Sequence, residues 1–181
     1  MVKVMLDLET MGNGPRAAIV AIGAVEFTTD AGIGAEFYAP VSLASSVAQG
    51  GEMDVSTLLW WLGQSDEARK VFADNENAKP LSTVLQDFSA WLGGIVKWRS
   101  DTGLEVWGNG AAFDNVILAS AYKAAGIAKP WQFWEDRCYR TVKAMFPEVP
   151  FKRVGTHHNA LDDARSQALH LVEIERGWNK E

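Results

Sequence analysis

Val2-Lys3-Val4-Met5-Leu6-Asp7-Leu8-Glu9-Thr10 opens the chain with alternating character. Val2, Val4 and Leu6 interleave with Lys3, Met5 and Asp7, the period-two pattern of a strand over Val2–Leu8. Thr10 to Arg16, with Gly12, Asn13, Gly14 and Pro15, reads as a turn. Ala17–Thr28 is apolar enough to be a strand inside a sheet, and a turn over Asp30–Gly34 leads to a third strand over Ala35–Ala39. Pro40–Met53, rich in Ser and Gly, reads as irregular. Asp54 or Ser56 is placed to cap a helix through Leu62, and Glu67–Asp74 to continue as a short one. Leu81, Val84, Leu85, Phe88, Trp91, Leu92 and Ile95 keep helical spacing over Leu81–Lys97. A strand over Leu104–Trp107 and helices over Phe113–Ala125, Thr141–Phe146 and Ala160–Glu175 complete the pattern. Strands first and strand–helix units later give an α/β class, with a mixed central sheet flanked by helices.

The 181 residues, 48% hydrophobic and 22% charged, suit a single domain over 1–181 with no need of disulfides. Cys138 is the one cysteine, so no secreted disulfide scaffold is expected. The longest apolar run, Ala17–Val25, is far short of the roughly 18–20 residues of a membrane span, and Asp7 comes too early for a signal peptide. A cytoplasmic protein without membrane partners is expected. The net charge of −6 argues against a protein that coats duplex DNA, which needs clustered cations. It does not exclude an enzyme that grips a strand end through metal ions. Eight Trp residues are a surplus that suits a core, base stacking or a homodimer contact.

Asp7 and Glu9 stand two apart on a strand, so their carboxylates share one face. They repel unless a proton or cation sits between them, or unless the strand end is solvated. Asp114 follows Trp107-Gly108-Asn109-Gly110 at a strand–turn–helix junction, where α/β sheets bind ligands. An acid there also complements the helix dipole. His157-His158-Asn159-Ala160-Leu161-Asp162-Asp163 opens the last helix, with Asn159 as a cap. A histidine beside carboxylates suits proton transfer. The His pair with an acid would also suit zinc, although hard carboxylates favour Mg²⁺ or Mn²⁺.

Together, Asp-x-Glu-Thr on the first strand, Asp114 at a helix start and His-x-Ala-x-x-Asp opening the last helix resemble the DEDDh family of 3′–5′ exonucleases. The resemblance spans Asp7 to Asp163 and implies a ribonuclease-H-like fold. It implies that Asp7, Glu9, Asp114 and Asp163 bind two divalent ions, Mg²⁺ or Mn²⁺, and that His158 is the general base. His157 and Asp162 then fall outside the motif. Many members carry His-Asn where this chain has Asn109-Gly110, so a substrate contact made there by that Asn is altered.

The resemblance further implies single-stranded DNA or RNA 3′ ends as substrate and nucleoside 5′-monophosphates as product. Trp60-Trp61-Leu62-Gly63-Gln64-Ser65 resembles a subgroup holding phage and bacterial exonucleases and an exoribonuclease branch. Neighbours on a helix point about 100° apart, so the pair can give one ring to the core and one to a terminal base; the alternative is that both are core or dimer contacts. Thr10, Met11, Trp61, Gln64, Asn109 and Phe113 are the candidate substrate contacts. Arg137–Arg153 holds five cations against Glu148 alone and is a candidate phosphate track, with Arg16 a lone further candidate. DNA is slightly favoured over RNA; a catalytically silent binding module and a zinc hydrolase are the readings from other classes.

Overall fold

The alternation at the N-terminus sorts the side chains of β1 (Val2–Thr10) between two helical layers. Val2, Val4, Leu6 and Leu8 enter a core shared with Val84, Leu85, Phe88, Leu92, Ile117 and Leu118. Met5, on the other face, packs with Val25, Phe27, Trp107, Tyr139, Ala164, Ala168 and Leu171. Asp7 and Glu9 share the face of Met5, which fixes the side on which their carboxylates emerge.

The computed structural model describes residues 1–73, 75–98 and 103–178. Five strands are ordered β3–β2–β1–β4–β5. β2 (Ile19–Thr28) is antiparallel to β1 and to β3 (Gly32–Pro40); β4 (Leu104–Gly108) and β5 (Asp136–Cys138) continue the sheet parallel to β1. The α-helices among the described residues are α1 (Leu43–Ala48), α2 (Val55–Leu62), α3 (Asp66–Arg69), α4 (Leu81–Trp98), α5 (Asp114–Ala124), α6 (Tyr139–Met145) and α7 (Ala160–Trp178), with short 3₁₀ turns between some of them. α4 and α5 cover one face of the sheet, and α6 and α7 the other. No helix among the described residues is long and apolar enough to cross a membrane.

Two glycines bring the helices close. Gly23 lies opposite Asp7 in the β1–β2 register, and a Cβ there would stand 2.2 Å from the carbonyl carbon of Ala160. The first turn of α7 therefore rests on bare backbone beside Asp7. At Gly108 a Cβ would stand 2.2 Å from Asn115 Oδ1, so the β4–α5 junction closes only over glycine. α2 is tied to the end of β1 by Asp54, the residue that caps it. The Asp54 carboxylate accepts from the Thr57 N–H at 2.7 Å and the Asn13 N–H at 2.9 Å. A hydrogen bond from Ser56 Oγ, followed by those from Thr57 and then Asn13, holds its pKa down at about 2.

The mixed sheet and the long helices match the sequence expectation; several short elements differ. β3 starts at Gly32 rather than Ala35, because Gly32 takes a left-handed φ of 78° and tightens the turn. The stretch expected to be irregular holds α1, capped by Ser42 through the Ser45 N–H. β5 is three residues long, too short to show a period. The helix expected over Glu67–Asp74 is split into α3 and a 3₁₀ turn over Lys70–Phe72, and Asp74 lies outside the described residues.

Gly23→Ala is expected to cost about 1–3 kcal/mol in urea denaturation, the usual scale for overpacking a filled interior. A variant as stable as the wild type would show that α7 does not need this contact.

Candidate active site

The first turn of α7, seated on Gly23, carries Asp163 to the carboxylates of β1. Oxygens of Asp7, Glu9 and Asp163 all lie within 4.8 Å of one another. Asp114, the first residue of α5, is turned the same way by the Leu8 N–H, which donates to its Oδ1 at 3.2 Å. Gln167, one turn after Asp163, donates from Nε2 to Asp7 Oδ1 at 2.8 Å. The sequence reading missed Gln167, although its i+4 spacing from Asp163 was a usable signal. The β1 strand, the α5 start and the α7 start thus converge on one cleft of about 240 Å³.

His158 has φ 63°, a left-handed conformation uncommon outside glycine. Its N–H donates to Asp163 Oδ2 at 3.1 Å, tying the residue to the acid cluster. The His158 ring stacks on His157 at 3.6 Å and meets the edge of Trp60 at 4.7 Å between centroids. Asn159 caps α7 through Oδ1, which accepts from the Asp162 N–H at 3.2 Å. Asp162 itself accepts from the Thr156 N–H and pairs with Arg165, outside the cluster. His157, His158 and Asp163 also lie close enough to share a cation, so the grouping that would suit zinc overlaps the acid cluster at Asp163.

Burial, followed by the charges of Asp114, Glu9 and Asp163, pushes the Asp7 pKa well above the carboxylate range. Burial and then Asp163 and Asp114 push Glu9 up to about 8, and burial pushes Asp114 up to about 7. Glu9 Oε1 is buried with no hydrogen-bond partner, an oxygen that asks for a proton or a cation. Asp7, Glu9 and Asp114 so placed resist ionising together unless positive charge enters the cluster. Arg153 supplies some of it, through an ion pair with Asp163 Oδ1. Burial and then His157 lower the His158 pKa, which favours the neutral imidazole.

The other sequence candidates divide. Thr10 and Phe113, with Trp60, Asn13 and Thr57, line a second cleft of about 380 Å³ that shares Glu9 with the first. Asn109 borders the acid cleft, and its carbonyl accepts from Arg140 Nη2 at 2.8 Å. Trp61 lines the second cleft but is only 3% exposed, and its Nε1 donates to the Thr10 carbonyl at 2.9 Å. Trp60, 45% exposed, is the more open ring of the pair. Met11 is packed in a core cluster with Trp61 and Ala160. Gln64 turns its amide back to the Trp60 carbonyl at 3.0 Å, and Arg16 is paired with Glu52.

The profile of the 3′–5′ exoribonuclease Rv2179c-like domain matches residues 2–175, nearly the whole chain. The chain belongs to that family. It is a DEDDh-type 3′–5′ exonuclease, and the family uses divalent metal ions. It is 26% identical over 159 residues to the exodeoxyribonuclease of Enterobacteria phage T4, covering 76% of this chain and 68% of that one. Solved structures share the ribonuclease-H-like fold. The nuclease domain of 3′hExo, a DEDDh member bound to rAMP, gives a TM-score of 0.65 at 15% identity, over 97% of this chain and 92% of that one. Escherichia coli Exonuclease I with a dT13 oligonucleotide gives 0.62 at 12% identity, over 99% of this chain but 43% of that longer one. The four acids of this Rv2179c-like chain therefore stand in a fold in which nucleic-acid complexes have been solved.

The raised carboxyls give a linkage test. Above about pH 5 the folded metal-free protein holds protons that the unfolded chain has lost, on Asp114 up to about pH 7 and on Glu9 up to about pH 8, so unfolding free energy falls as pH rises through that range. Glu9→Gln, which fixes the neutral state, is expected to melt above the wild type in EDTA near pH 8.5 and close to it near pH 5.5. Divalent ions should raise the wild-type Tm more at the higher pH, because metal ligands must be deprotonated. A Glu9→Gln protein less stable than wild type near pH 8.5 would overturn this account of the cluster.

Proposed function

We propose that residues 1–181 act as one exonuclease domain that removes nucleoside 5′-monophosphates from single-stranded 3′ ends, with DNA slightly favoured. The observation that carries this is the convergence of Asp7, Glu9, Asp114 and Asp163 beside His158, with Glu9 Oε1 unpartnered. Hard, buried, mutually repelling carboxylates fit a pair of Mg²⁺ or Mn²⁺ ions better than zinc. Asp7, Glu9, Asp114 and Asp163 would hold them. When bound, such ions neutralise the carboxylates, polarise the phosphate and make water more acidic.

The chain's own groups do the rest. His158, neutral near pH 7, takes a proton from the water that attacks the terminal phosphorus. The new bond forms between water oxygen and phosphorus. The bond to the 3′ oxygen of the penultimate nucleotide breaks, and that oxygen leaves to be protonated. Trp60 and His157 brace the His158 ring from two sides, and the Asp163 carboxylate holds its backbone. Gln167 orients Asp7. The cleft of Thr10, Trp60 and Phe113 suits the terminal base, with an aromatic face and hydroxyls at its rim.

The phage relative supports DNA as substrate. The family's description as an exoribonuclease favours RNA as the second reading. Low cysteine usage is consistent with a cytoplasmic setting.

The deciding assay is degradation of 5′-labelled single-stranded DNA and RNA of one sequence with Mg²⁺, Mn²⁺ or EDTA. A metal-dependent ladder shortening from the 3′ end is expected, faster on DNA; a faster RNA ladder selects the second reading. Asp7→Ala should abolish turnover while the protein stays folded. His158→Ala should slow the chemical step by about 10²–10⁴-fold. A larger loss for His157→Ala than for His158→Ala would move the base to the neighbouring residue, and full activity in Asp7→Ala would refute the metal assignment.

A further inference from the structure

The acid cleft opens on its other side into a third cleft of about 640 Å³, and the two share Asn109, Arg140, Lys143 and Phe151. The lining of this third cleft includes two cations and, among the described residues, no acid. The cleft of Thr10 and Trp60 is its opposite: smaller, with Glu9 its one charged lining residue. The basic segment Arg137–Arg153 is split accordingly. Arg137 is held by Glu105 at 3.1 Å, Lys152 stands 3.9 Å from Glu173, and Arg153 pairs with Asp163. Arg140 and Lys143 remain, exposed on one face of α6 at i, i+3 spacing. Arg140 bonds only a backbone carbonyl, that of Asn109, and Lys143 Nζ stands 4.6 Å over the Phe151 ring. Neither forms an ion pair among the described residues, although the Arg140 charge reaches Asp114 and offsets part of the rise in its pKa, in a chain whose net charge is −6.

We propose that this third cleft is the path of the strand upstream of the cut, with Arg140 and Lys143 holding its phosphates. The proposal rests on the exonuclease reading above. A 3′ end needs room for one base, and the smaller cleft, about 380 Å³, offers it. The continuing strand needs an open groove with cations for its phosphates and rings for its bases. Phe146 and Phe151 line the groove and supply those rings. The charge contrast between the two flanking clefts thereby sets the direction in which the strand lies across the acids.

The test compares a dinucleotide with a single-stranded decamer as substrates for the wild type, Arg140→Gln, Lys143→Gln and the double variant, with Mg²⁺. All the substituted side chains are exposed, so folding is spared. In the double variant the decamer-to-dinucleotide ratio of kcat/KM is expected to fall tenfold or more, mainly through KM. Each single substitution should lower the slope of log affinity against log salt for the decamer by about 0.7, the value for one phosphate on a single strand. Lys152→Gln is the control and should change neither. An unchanged ratio and slope would overturn the proposal, as would equal losses on both substrates or the same effect from Lys152→Gln. The slope is also measured by anisotropy of the labelled decamer in EDTA. A wild type that cuts neither strand would sink the exonuclease reading alone, while the binding slope would still decide the groove.

Discussion

The backbone of Ala160 lies against Gly23 with no room for a Cβ, and the position of every catalytic candidate on α7 follows from that contact. Gly23 pairs with Asp7, so the helix start is set beside the strand that carries Asp7 and Glu9. Asp163 and Gln167, one turn apart, then face the strand at consecutive heights. The loop before the helix must turn sharply to reach that seat. Gly155 at φ 70° and His158 at φ 63° take the left-handed conformations that the turn requires. A Cβ at Gly155 would meet the Asp162 carboxylate at 2.2 Å, and that carboxylate fixes the loop through the Thr156 N–H. His158 is thus delivered by the same sharp turn that leads the chain to the helix's seat.

Close packing of acids is unfavourable for the fold and useful for chemistry. Glu9 and Asp114 are buried, burial raises their pKa values to about 8 and about 7 when no cation is bound, and Glu9 has an oxygen without a partner. Removing such groups from water disfavours their charged forms, and each neighbouring acid adds to the effect. The surrounding packing must supply the stability that the cluster withholds, and it does so from apolar cores on both faces of the sheet.

The sheet, the long helices and the four acids were legible because each leaves a local trace. β1 has a period of two, α4 and α7 have periods near 3.6, and the acids fall at the ends of those elements. The family resemblance then joined three motifs that are separately ambiguous. What stayed hidden depends on contacts between distant residues. β5 has three residues and no pattern; it exists because β4 offers it an edge. Trp60 and Trp61 are indistinguishable in the sequence. The ties of Asp54 and Thr57 to Met11 and Asn13 orient α2 so that Trp61 is buried against Thr10 and Trp60 is left beside His158. Met11 follows directly from the acid strand, yet the register shift between Glu9 and Thr10 accompanies its turn into the core.

Net charge says little about where a polyanion is held. The −6 of the whole chain includes the four clustered acids, and cations on α6 and in the loop after it border the same cleft. The two populations are adjacent because β4 and β5 run parallel and end together, placing Asn109 beside the start of α6. On the proposed strand path, a phosphodiester crossing that junction would meet guanidinium and ammonium groups on one side and, through metal ions, carboxylates on the other. Attraction at long range would then come from α6, and the positioning that chemistry needs from the acids. Such a separation would let an acidic protein take an acidic substrate, because a strand is steered by local field rather than by total charge.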